Sequence, residues 1–165
     1  TKASKEAKVN TSWISPNEEY DQALSTFIEA ILDPGRSNRF LEDFRDFQKT
    51  GSHFGIFNSL SQVLLKIASP GVPDLYQGCE LFDLSLVDPD NRRPVEYDLR
   101  DQLLAEVESF HKGTHSEIPA TIRNWLENWQ DGKIKLFLTH RGLQIRREMA
   151  DFFHEAGYLP LKCTV

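Results

Sequence analysis

Asp88, Asp90, Arg92 and Arg93 lie within six residues of one another. A carboxylate and a guanidinium held in fixed positions can each make two parallel hydrogen bonds, the geometry that grips vicinal hydroxyls. The other reading of the same residues is a surface loop whose charges pair with one another. Their setting is Ser69 to Tyr97, SPGVPDLYQGCELFDLSLVDPDNRRPVEY. It opens with a tight Pro-Gly turn and runs into a short strand-like piece, Val72 to Tyr76. A long polar stretch without helical periodicity follows. A scaffold strand leading into a polar loop is how binding surfaces are commonly built.

Other chemistries find less support. His111 and His115 are four apart, but Gly113 between them breaks the helix that would bring them together, and neither HExxH nor a paired CxxC occurs, so no metal site is expected. There is no GxSxG elbow, and Cys79 after Gly78 reads as a small residue filling a turn. Phosphate-binding glycine loops are missing. Asp74, Glu80, Asp83, Asp88 and Asp90 are close in sequence, and two carboxyl groups facing across a sugar would make a glycosidase-type site. Nothing in the sequence buries one of them so as to raise its pKa, so local catalysis is not expected. Trp13 stands in a break between helices beside Asn10, Thr11 and Asn17. It reads either as a hydrophobic staple at the helix entry or as a face for stacking on a sugar. Arg141, Arg146 and Arg147 read as a solvated or salt-bridged helix face.

The 165 residues carry a net charge of −6 and are 39% hydrophobic, with eleven Phe and three Trp. That length permits one or two small domains with a real core. The negative charge argues against a nucleic-acid binder, which needs a basic face. No apolar run reaches the ~20 residues that span a bilayer. Two cysteines, Cys79 and Cys163, make no disulfide framework, so a reducing cytoplasm is expected. Met149 is the only methionine. The chain opens as the middle of a polar helix, TKASKEAK, and closes as a strand beginning, GYLPLKCTV; it reads as a fragment of a longer protein.

The elements that must position these residues are mainly helical. Lys2 to Val9 is helix-prone. Ser15-Pro16-Asn17-Glu18 reads as a capping box that opens a helix to Leu32. Ser37 caps the next helix, with Phe40, Leu41, Phe44 and Phe47 as its core stripe, and Gly51 closes it. His53 to Ala68 follows, apolar over much of its circumference and hence expected to be buried on several sides. Asp98 to His111, Pro119 to Trp129 and Lys133 to Glu148 are three more, the last with Ile134, Phe137, Leu138 and Ile145 inward.

Several blocks then suggest a family. SPGVPDLYQGCE resembles the eighth-strand segment of the α-amylase superfamily barrel. ELFDLSLVDPDNRRPVEY resembles the malto-oligosyltrehalose synthase family more specifically. So do Glu6 to Asp21, Asn58 to Asp74, Asp131 to Glu148 and Gly157 to Leu161. The resemblance implies an enzyme that acts on maltodextrins without a metal or organic cofactor. It would convert the reducing-end α-1,4 linkage to α,α-1,1 by intramolecular transglucosylation. The superfamily's Asp nucleophile, Glu acid/base and stabilising Asp sit on earlier strands. They would lie upstream of this chain, so the resemblance assigns no catalytic residue here.

What carries over is sugar contact. In a DPxxR pattern after strand eight, Asp88 and Arg92 would hold a sugar on the non-reducing side of the cleavage point. Arg93 would stand beside them, mainly supporting the loop, and Tyr76, Gln77 and Glu80 would sit near the barrel rim. The familiar GTELWD appears as GCELFD, so Cys79 replaces Thr and Phe82 replaces Trp, losing the indole donor.

The expectation is therefore a mainly α fragment with one strand-like segment, 72–76, from the last unit of a (β/α)8 barrel. Residues 1–113 would end the catalytic domain, and 114–165 would be a C-terminal helical region leading to a β-domain. The candidate substrate-binding set is Asp88, Arg92, Arg93, Tyr76, Glu80 and Trp13. Alone, the chain is expected to be inactive, with its orphaned strand either extended and unpaired or paired with another molecule through its open edge. The alternative is a non-catalytic helical interaction or carbohydrate-binding module.

Overall fold

The computed structural model describes residues 1–86, 88–110 and 118–162, and of Asn38 the backbone alone. Helices make up its regular structure: α1 (Lys2–Ala7), α2 (Glu18–Leu32), α3 (Asn38–Ala68), α4 (Tyr97–Phe110), α5 (Ile118–Glu127), α6 (Lys133–Glu148) and α7 (Ala150–Glu155), with a 3-10 turn at Trp129–Asp131 before α6. The described residues contain no strand. Residues 72–76 form no ladder, and Val72 is 95% exposed. The strand-like sequence is thus not realised as a strand here, since extended backbone becomes one only with a neighbour to take its hydrogen bonds. The closing GYLPLK, also read as a strand, is likewise irregular.

The chain divides into two compact units, Thr1–Phe54 and Gly55–Val165, with the division inside α3. The organisational boundary expected at 113/114 lies outside the described residues, as do His111, His115 and Cys163.

In the first unit the start of α2 differs from expectation. Asn17, not Ser15, is the N-cap: its side chain accepts from the Tyr20 amide at 3.1 Å. Ser15 is drawn back into a local turn, its amide donating to Ser12 Oγ at 2.9 Å. Buried Thr11 fixes the cap, its hydroxyl donating to Asp21 Oδ2 and accepting from the Asn17 amide. Ser37 turns its hydroxyl to the Ala30 carbonyl at 3.0 Å.

α3 is one helix of 31 residues where two were expected. A glycine inside a helix costs only about 1 kcal/mol relative to alanine. With no proline between Asn38 and Ala68 the hydrogen-bond ladder runs through Gly51. The aromatic stripe expected to be core is not: of its members Leu41 is buried, whereas Phe40, Phe44 and Phe47 are exposed, Phe47 at 73%. In the second half of α3 only Ile56, Val63 and Ile67 are buried, not several sides.

The second unit has a hydrophobic core of Leu103, Val107, Trp125, Ile134 and Leu136, with Val107 at 0% exposure. Each such side chain contributes about 1.5–3 kcal/mol on burial. The core sits where α6 packs against α4 and α5. Rings lock it: Phe110 meets Trp125 edge-on at 4.9 Å, and Phe137 lies 5.5 Å from Trp125. Of the residues expected inward on α6, Ile134 is buried and Phe137 and Leu138 are half-buried, but Ile145 is exposed. Lys135 and Thr139 are buried instead.

Gly142 lets α6 approach the end of α3 closely, since a Cβ there would come within 3.1 Å of Ile67 Cδ1. Arg146 completes that junction. Rather than facing solvent, its guanidinium donates to the carbonyls of Ile67, Ser69 and Gly71. Arg141 makes the expected kind of surface pair, 3.8 Å from Glu148.

Candidate functional site

In the second unit, the segment between α3 and α4 folds back on itself to form an open cleft of about 510 Å³. Its wall includes Tyr76, Leu81, Phe82, Asn91, Arg92, Arg93 and Arg100. The turn that shapes it is held by Arg100 of α4. The Arg100 Nε donates to Glu80 Oε2 at 2.9 Å, and its terminal nitrogens donate to the carbonyls of Gly78 and Glu96. Glu80 Oε1 in turn accepts from the Gly78 amide at 3.3 Å. Tyr97 Oη donates to Gln77 Oε1 at 3.1 Å, tying the same turn to the start of α4.

The outer loop is organised by its carboxylates. Asp83 Oδ1 accepts from the Ser85 amide at 2.9 Å, and Asp90 Oδ2 accepts from the Leu86 amide at 2.6 Å. Arg92 pairs with Asp88, and Arg93 with Asp90. Hydrogen bonds from Ser85 hold the Asp83 carboxyl below the usual carboxylate range. The Arg93 guanidinium, then the Leu86 amide, does the same for Asp90. All four paired side chains keep solvent contact, so water and salt screen both pairs.

Of the six candidate residues, five lie in this unit. Tyr76, Arg92 and Arg93 line the cleft. Asp88 is brought to it through its pair with Arg92. Glu80 is turned away from it: both its oxygens are engaged by the Arg100 and Gly78 groups above, and it lines a second cavity of about 330 Å³ with Lys66, Cys79 and Lys135. Trp13 belongs to the first unit. The residue is 60% exposed, with the Lys5 ammonium 5.1 Å from the centroid of its ring. That ammonium also lies 3.4 Å from Asp21 Oδ2.

Sequence reasoning missed Arg100, Asn91 and Lys135. Arg100 meets a partner 20 residues away, and Lys135 one 54 residues away; no local pattern marks such pairs. The Asn91 Oδ1 is buried without a hydrogen-bond partner among the described residues. Among those residues no group of three or more His, Cys, Asp and Glu is placed to hold a metal ion, and no helix is long and apolar enough to cross a membrane.

Guanidinium, carboxylate, amide and aromatic groups around an open cleft make a surface suited to a polyhydroxylated ligand. Comparison with known proteins narrows that class. No family model matches the chain. A protein of Mycobacterium tuberculosis strain H37Rv, assigned as a maltooligosyl trehalose synthase, is 38% identical over 99 residues, which is 60% of this chain and 12% of that protein. A crystal structure of maltooligosyl trehalose synthase matches 98% of this chain and 21% of its own, with a TM-score of 0.82 and 34% identity. The maltooligosyltrehalose synthase of Arthrobacter ramosus matches 92% of this chain and 18% of its own, with a TM-score of 0.71 and 28% identity. Curated and structural neighbours alike therefore name maltooligosyl trehalose synthase, and this chain spans only an eighth to a fifth of their length.

Proposed function

We propose that the chain is part of a malto-oligosyltrehalose synthase, an intramolecular transferase that isomerises the reducing-end α-1,4 linkage of maltodextrins to α,α-1,1. Its part would be to supply a wall of the substrate cleft and scaffold behind it, while the reacting carboxylates belong to other parts of the enzyme. The carrying observation is the cleft between α3 and α4, rimmed by Tyr76, Arg92 and Arg93, in a chain that matches synthase structures over nearly its whole length. Asp88 and Arg92 would hold a glucose unit by paired hydrogen bonds to adjacent hydroxyls, with Arg93 bracing the loop and Tyr76 offering an apolar face. Residues 72–76 would gain a strand's partners only beside the rest of a barrel, and the division at 113/114 would separate that barrel's last unit from the helices that follow. Two cysteines and a maltodextrin substrate fit a cytoplasmic site of action.

The test is incubation with maltohexaose. The chain should leave the reducing ends intact yet bind the sugar weakly, as followed by NMR shifts of the Arg92 and Arg93 side chains. R92A should weaken that binding about tenfold, the size of one charge-assisted hydrogen bond. Turnover by the chain itself, or R92A binding unchanged, would sink the reading.

A second reading, a helical interaction module, is favoured by the exposed apolar side chains of α2 and α3, among them Phe27, Phe40, Phe44 and Phe47. It expects no sugar binding and no effect of R92A.

A further inference from the structure

Leu81 and Phe82 form part of the cleft wall, in a stretch without regular structure. What holds them is the beginning of α6, reached 50 residues later along the chain. Four contacts converge there. The Lys135 ammonium donates to the Leu81 carbonyl at 3.0 Å. The same ammonium lies 5.5 Å from the centroid of the Phe82 ring, within reach of a cation–π attraction. Gly132, at φ +78°, abuts Leu81 so closely that a Cβ would come within 2.9 Å of Leu81 Cδ2 and 3.3 Å of its Cα. Trp129, just before, makes a T-shaped pair with the Phe82 ring, their centroids 5.6 Å apart and their planes at 89°.

Lys135 is only 8% exposed. Taking an ammonium out of water is costly, and replacing a buried charged group by an apolar one of similar volume is often neutral or stabilising. The ammonium therefore contributes direction: one donor aimed at one carbonyl, and one charge set against one ring. Both of its targets are wall residues.

We infer that Lys135 is a positioning residue of the cleft, fixing the Leu81 carbonyl and the Phe82 ring so that the wall is set before a saccharide arrives. The inference rests on the sugar-cleft reading above for the identity of the ligand, and on geometry alone for the positioning. Burial pushes the Lys135 ammonium below the usual lysine range, with Cys79, Asp83 and Glu80 pulling it back and Lys66 adding to the depression. That balance agrees with a group held in place at an electrostatic cost.

The experiment compares the chain with its K135M variant by three measurements: urea midpoint, backbone 15N order parameters at Leu81 to Asp83, and maltohexaose affinity. Methionine fills the volume but has no donor. The expected result is an unchanged or higher midpoint, lower order confined to residues 81–83, and affinity weakened about fivefold, the size of one net hydrogen bond. A lysine that merely supported the fold would instead lower the midpoint and loosen α4 and α6 as well. That outcome overturns the inference, and so do order parameters and affinity that match the unmutated chain. If the unmutated chain binds no maltohexaose, the sugar-cleft reading fails, and the order parameters alone decide whether Lys135 positions the wall. If K135M does not fold, K135R replaces it. The longer planar guanidinium cannot occupy the ammonium's place, so residues 81–83 should shift and affinity fall with the fold kept; unchanged shifts and affinity overturn the inference.

Discussion

The first unit, Thr1–Phe54, and the second, Gly55–Val165, are built from similar amphipathic sequences but fill their interiors differently. The second has a core of five buried hydrophobic residues from three helices. In the first, Leu41 is the buried hydrophobic among the described residues, and most of the large apolar side chains of α2 and the first part of α3 are exposed. Polar contacts organise it instead, around Thr11, Asn17, Lys5 and Asp21. A stripe of apolar residues at helical spacing thus specifies a face and not what covers it. α6 finds α4 and α5; the Phe stripe of α3 stays open to solvent in this chain.

The sharpest way to break this contrast is a pair of substitutions. W125A should destabilise the second unit by about 3–5 kcal/mol, from lost burial and the cavity left behind. F47S should change stability by no more than about 0.5 kcal/mol, as for an exposed position. Urea denaturation of both variants decides it, and equal losses would mean that the Phe stripe is covered after all. F47S should also lower any concentration-dependent mass in light scattering, because exposed apolar area drives self-association.

Within the second unit, R100M should cost about 2 kcal/mol by leaving the half-buried Glu80 carboxylate without its charged partner. Adding E80Q should recover part of that loss in the same denaturation assay. A smaller effect separates this half-buried clamp from the exposed loop beside it. Asp83 and Asp90 both titrate below the ordinary 3.8 in the folded chain. The stability they contribute is therefore complete above the unfolded value and is lost as pH falls through their folded pKa values. The Ser85 and Leu86 amide resonances should move together with a midpoint below 3.8. A midpoint at or above 3.8 would mean that the two carboxylates do not hold the loop.

Much of the fold was legible in the sequence. Periodicity located α2, α4, α5 and α6 to within about two residues, because helix hydrogen bonds and side-chain stripes are local. It erred where a local signal was weak or had a rival. Gly51 looked like a stop, yet its cost was too small to interrupt α3. The Ser15 capping box lost to Asn17 because Thr11 supplied a hydroxyl that fixes the Asn17 amide. Asp90 and Arg93 stand out in the sequence as part of a charge cluster, and they do pair. Arg146, read as a surface charge, turned out to hold three carbonyls at the end of α3 and the turn after it.

By itself, then, the sequence determined the helices, the polar loop with its paired charges and the likeness to one enzyme family, since these depend on residues near one another in the chain or on patterns of type and order. Tertiary structure alone decided which apolar faces are covered, that Glu80 faces Arg100 and not the cleft, and that Lys135 lies buried behind Leu81 and Phe82. Such pairings join residues 20 to 54 positions apart. They arise from how helices pack and where their ends meet, and neither composition nor spacing encodes that in any local form.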